Sequence, residues 1–143
     1  MYARIEEECE KAGLPFRRPA RVPNTRRALE TAEWVRQHQP DAFEAVERSL
    51  FEAHFVDNRP LDDADVLDEL VGRAGADATA ARAAVEGGDM LDALRESMDA
   101  AMEANVTGTP AWLVDGRLLI PGAQPRELYV IWVGRLRRQV PDA

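Results

Sequence analysis

The sequence predicts an α+β chain that is mostly helical and ends in one β-hairpin and a closing helix. Apolar residues recur at helical spacing from residue 2 to about 104, interrupted at Gly, Pro and Asp. At Asn105-Val106 the period turns strand-like, and two apolar runs, Ala111–Val114 and Leu118–Ile120, flank Asp115-Gly116. Asp-Gly between apolar runs signals a type I′ hairpin, because both central residues of that turn need φ > 0. From Gln124-Pro125 onward the helical period returns.

Tyr2, Ile5, Cys9 and Ala12 define a first helix over about 2–12, with Gly13 as its stop. Leu14–Pro23 carries three prolines, which forbid a helix and suit an extended connector. Asn24 or Thr25 caps a second helix whose inward positions are Ala28, Leu29, Ala32 and Val35, and Pro40 ends it. Asp41 caps a third, with Phe43, Val46, Leu50 and Ala53 in one stripe that Phe51 and Phe55 widen. Leu61-Asp62 reads as a staple and cap for the helix of Val66, Leu67, Leu70 and Val71. Asp77 opens a short alanine-rich helix that reaches Gly87-Gly88. A sixth helix, about 89–104, carries Leu91, Leu94, Met98, Ala101 and Met102. The last helix has Pro125 at its first position, Glu127 in its first turn, and Leu128, Ile131, Trp132 and Leu136 inward.

A chain of 143 residues suggests one domain over 1–143. Its parts are a helix and connector over 1–23, a helical region over 24–105, and a proline loop, hairpin and helix over 106–143. The net charge of −8 argues against nucleic-acid and anionic-membrane partners. The single cysteine, Cys9, excludes an intrachain disulfide and a cysteine-rich metal site. No apolar run has the form of a signal peptide or a transmembrane span, so a cytoplasmic location is expected.

Most chemistry-bearing residues read as structural. Cys9 lies on the apolar stripe of its helix as a buried thiol, and Glu6, Glu7, Glu8 and Glu10 deny it the electropositive setting of a reactive thiolate. His38 suits a helix C-terminus, and His54 lies inside a helix with no ligand spacing around it. Asp57–Asp65 lacks the glycine of a calcium loop. Ser49 and Ser97 sit mid-helix outside any nucleophile elbow. There is neither a dinucleotide fingerprint nor a P-loop. No catalytic residue, metal site or cofactor emerges. Thr109-Pro110 remains: a proline with no N–H belongs at a strand's start or edge, and an X-Pro bond there can be cis. With a cis bond the backbone of Thr109 would turn outward, free to pair with an extended peptide or the peptide part of glutathione. Otherwise Pro110 only opens an edge strand.

Val106-Thr-Gly-Thr-Pro-Ala-Trp-Leu-Val-Asp-Gly-Arg117, followed by Ile120-Pro-Gly-Ala-Gln-Pro125, resembles the cis-proline segment of the DsbA-like thioredoxin family. The nearest branch is the FrnE-like and 2-hydroxychromene-2-carboxylate isomerase-like proteins. Gly13-Leu-Pro-Phe16, Pro23-Asn-Thr25 and Leu50-Phe-Glu-Ala-His-Phe55 resemble the family's helical insertion. The resemblance implies the C-terminal ββα half of a thioredoxin fold plus a DsbA-type helical insertion. It implies thiol–disulfide oxidoreduction, a cis Pro110, and Thr109 and Pro110 as substrate-binding residues. The family's strand–Cys-x-x-Cys–helix segment has no counterpart here, so the chain is expected to lack intrinsic redox activity. Two alternatives stand beside this reading, a glutathione-dependent isomerase or transferase of the same superfamily and a non-catalytic helical binding module. A two-stranded hairpin is marginal alone, so a homodimer through the exposed half-sheet is also expected.

Overall fold

The computed structural model describes residues 2–116 and 118–138. Seven helices and two strands occur among them, in the order α1 (Tyr2–Ala12), α2 (Arg26–His38), α3 (Pro40–Phe55), α4 (Ala64–Arg73), α5 (Ala78–Gly87), α6 (Leu91–Glu103), β1 (Ala111–Val114), β2 (Leu118–Pro121) and α7 (Arg126–Arg137). The fold is the predicted α+β type, mostly helical with one hairpin. The backbone divides into two compact units, one through Arg95 and one from Glu96. None of the helices is long and apolar enough to cross a membrane.

In the first unit α2 packs against α3, α4 and α5, and α4 packs against both α3 and α5. Its core includes Ala28, Trp34, Val35, Val46, Leu50, Ala53, Leu67, Leu70, Val71 and Ala81. The α4 stripe lies as its spacing predicts, and so do Val46, Leu50 and Ala53 of α3, but Phe51, expected to widen that stripe, is exposed. The α2 stripe departs from its spacing: Leu29 is exposed, while Glu30, Thr31 and Trp34 are buried. Three helices press on α2, so the buried arc turns toward Thr31 and Trp34. Cys9 is half-buried rather than buried, because α1 has no buried residue.

Helix ends follow the expected chemistry, displaced by one residue at several points. Asn24 Oδ1 accepts from the Arg26 N–H at 3.1 Å, while Thr25 occupies the cap position without a side-chain bond. Pro40 opens α3 instead of merely ending α2, since its missing N–H costs nothing in a first turn. Asp63 and not Asp62 caps α4, accepting from Asp65 and Val66. Asp62 instead takes the Arg21 guanidinium in two bonds of 2.8 and 2.6 Å. With Ala20 N–H on Asn58 Oδ1 at 2.8 Å, this ties the proline-rich connector to the α3–α4 loop. Pro125 occupies the cap position of α7, one residue before the first helical position.

Candidate functional site

The second unit contains the proline loop. Ala104 and Asn105 close α6, and Asn105 adopts φ 58° as Val106 N–H donates to Ala101 O at 2.9 Å. This termination points the chain out of the helix into Thr107–Pro110, all exposed. The Thr109–Pro110 peptide bond is cis. β1 begins at the next residue, the position a proline without an N–H favours.

The hairpin is antiparallel, pairing Ala111 with Pro121, Trp112 with Ile120, Leu113 with Leu119 and Val114 with Leu118. Asp115 and Gly116 have φ of 53° and 62°, as Asp-Gly predicts. The register leaves three positions between the strands, one more than a two-residue turn needs. The third, Arg117, lies outside the described residues. Gly122 N–H donates to Pro110 O at 2.8 Å, fastening the loop to the end of β2.

On one face of the hairpin Trp112 and Ile120 stand side by side, and the Trp112 ring meets the edge of Tyr129 from α7 at 6.2 Å. Tyr129 in turn meets Trp132 at 6.0 Å. Ile120 is buried, whereas Trp112 is 57% exposed. Among the inward positions predicted for α7, Ile131 is exposed, and Leu128, Trp132 and Leu136 are half-buried. Trp112 and Tyr129 thus form the aromatic support beside the loop. Sequence spacing did not single them out, although a Trp two residues after a loop proline was an available signal.

The other candidates lie in the first unit. His38 caps its own helix end, with Nδ1 2.9 Å from Trp34 O and its ring stacked on Trp34 at 4.8 Å. His54 contacts Phe55 edge-on at 4.5 Å, and burial holds its pKa below the ordinary imidazole value. A groove of about 330 Å³ runs along α2 and α3, lined by Leu29, Phe51, His54, Phe55 and Leu61 among others. The exposed faces of Leu29 and Phe51 belong to it, which is why neither residue is inside. Among the described residues no group of three or more His, Cys, Asp or Glu comes together as a metal site. The Asp57–Asp65 stretch is taken up by a helix cap and by ion pairs to Arg21 and Arg82.

A proline at a strand's threshold, an antiparallel hairpin and a closing helix, carried with a helical unit, define a chain of the thioredoxin type. The family model of the DSBA-like thioredoxin domain matches residues 1–130, and the chain belongs to that family. A solved structure of a probable DsbA oxidoreductase from Streptomyces coelicolor is similar to 96% of this chain. Its TM-score is 0.85 at 23% identity, a likeness of fold. The uncharacterized protein YwbO of Bacillus subtilis is 25% identical over 128 residues, 87% of this chain. The chain spans 62% of the length of YwbO and 59% of the Streptomyces protein.

Proposed function

We propose that residues 1–143 carry the substrate-docking part of a DsbA-like thiol–disulfide oxidoreductase and do not by themselves turn over a disulfide. The observation that carries this reading is the exposed Thr109–Pro110 step at the head of β1, beside a supported aromatic pair. Thr109 exchanges no backbone hydrogen bond with another described residue, which leaves its N–H and C=O to a short extended peptide. Family membership and the oxidoreductase named in the similar structure support the chemical class. Disulfide exchange needs an attacking thiolate at the docked substrate and a second thiol to complete dithiol oxidation. The one cysteine here lies on α1 among glutamates. The reading includes a cytoplasmic location.

Two measurements test it. In a dithiothreitol-driven insulin-reduction assay the chain should add nothing to dithiothreitol alone, and clear turnover would refute the lack of activity. Titration with an extended disulfide-containing peptide should shift the emission of the exposed Trp112. Replacing Thr109→Pro removes the outward N–H and should weaken binding about tenfold. Unchanged affinity would move the docking elsewhere.

A further inference from the structure

We propose that the cavity where the proline-rich connector crosses the α3–α4 turn binds a small organic carboxylate with an apolar body, about the size of benzoate. The connector cannot close flat on the turn through its backbone, because its prolines have no N–H to donate. It is held at separate points instead. Arg17 N–H donates to Phe55 O at 2.6 Å, Ala20 N–H donates to Asn58 Oδ1 at 2.8 Å, and the Arg21 guanidinium takes Asp62. Connector and turn leave a cavity of about 230 Å³ between them. At about 30 Å³ per water this matches roughly eight water molecules, the bulk of one small aromatic acid.

The polar residues of the lining, Arg21, Asn58 and Arg59, supply donors. Arg21 and Arg59 each spend the fork formed by their two Nη atoms on a carboxylate, Asp62 and Glu69 respectively. A guanidinium carries five N–H groups, so a second fork, Nε with one Nη, stays without a hydrogen-bond partner among the described residues. Asn58 is oriented by its bond from Ala20: with Oδ1 accepting, Nδ2 is left to donate. Its φ of 55° lies in the left-handed region that Asn tolerates, so the turn itself holds the amide in place. An ionised carboxylate only accepts, and it is the group that meets such a set of donors.

Walls and charge set the rest of the ligand. Pro19, Pro23 and Pro60 give the cavity rigid apolar sides that lose no rotamer freedom on binding. Asp62 and Glu69 already neutralise the two guanidiniums, and Asp57 and Asp63 act on Arg59 as well. A single negative charge is accepted there, whereas a dianion such as phosphate meets repulsion from these carboxylates. His54 also lines the cavity, and with burial holding its pKa below the ordinary value it adds no charge at neutral pH. The site lies within the first unit and does not rest on peptide docking at Thr109.

In an NMR titration of the intact chain at low salt, sodium benzoate should shift the backbone amides of Ala20, Asn58 and Arg59 with a dissociation constant of about 1 mM. Added salt should weaken it. Benzamide keeps the ring and loses the charge, so it should bind about tenfold more weakly, and inorganic phosphate no better than benzamide. Asn58→Asp keeps an oxygen for the Ala20 N–H and tolerates the left-handed turn, but replaces the donor with a charged acceptor. It should weaken benzoate about tenfold or more. Arg59→Lys retains a cation beside Glu69 and removes the fork, with a similar loss. Circular dichroism checks that both variants fold. No shift at these amides up to about 20 mM benzoate would overturn the proposal, as would equal affinity for benzamide or undiminished binding by either folded variant.

Discussion

At the scale of single residues, burial separates ion pairs that matter from those that do not. Glu30 is fully buried, and Arg26 Nε lies 3.0 Å from its Oε1. The alignment falls short of a hydrogen bond, and Glu30 Oε2 has no partner among the described residues. Arg26→Ala would leave that carboxyl group buried without its cation, at a cost of about 1–3 kcal/mol in chemical denaturation. Arg48→Ala, which removes a pair with both side chains exposed, should cost under about 1 kcal/mol. Asp63 bonds two first-turn N–H groups of α4, so Asp63→Ala should cost about 1 kcal/mol. His54 gives a pH dependence. Burial lowers its folded pKa below 6.5 while the unfolded chain titrates near 6.5. Between those values the unfolded state binds more protons, so stability is full above pH 6.5 and falls as pH drops through the folded pKa. His54→Gln should flatten the denaturation midpoint between pH 7.5 and 5.5, and an unaltered slope would assign the effect to other groups.

At the scale of elements, the sequence was most legible where one local rule acts alone. Spacing placed the α4 stripe correctly, and Asp77 caps α5 by accepting from Ala80 at 3.0 Å. The left-handed turn was equally plain, because few residue pairs other than Asp-Gly tolerate positive φ in succession. Gly116→Val should therefore destabilise the hairpin by about 1–2 kcal/mol through backbone strain, since a Cβ there meets nothing within 4 Å. The strand amide region of the infrared spectrum would register the change. Legibility failed where several elements act on one. Leu29 and Thr31 differ in hydrophobicity in the wrong sense for their places, because packing by three neighbours turned α2. The proline loop was visible as a candidate site, while its aromatic support was not. Trp112 and Tyr129 meet across a register and a helix phase that only the folded backbone sets.

At the scale of the molecule, the two units differ in how much they bury. The core cluster lies in the first unit, whereas Ile120 is the one buried residue of the second among the described residues. Local stability follows burial. Hydrogen exchange should find the amides of α2–α5 protected by a large factor over those of β1, β2 and α7. Equal protection throughout would show that the second unit draws its stability from something besides its own core. Family membership was legible as a resemblance because Val106–Pro125 combines turn and proline signals whose order is specific. Activity was not, because a loop proline and a reacting thiol are separable parts, and composition can count cysteines without saying what meets them.

Pro121 has a consequence beyond its own hairpin. A β-sheet open on both sides can accept copy after copy and lengthen into a filament. Here one side has lost a donor where an incoming strand would need it. An incoming strand on that side finds no N–H at residue 121 to accept from, so a single proline blunts the β2 edge against strand addition.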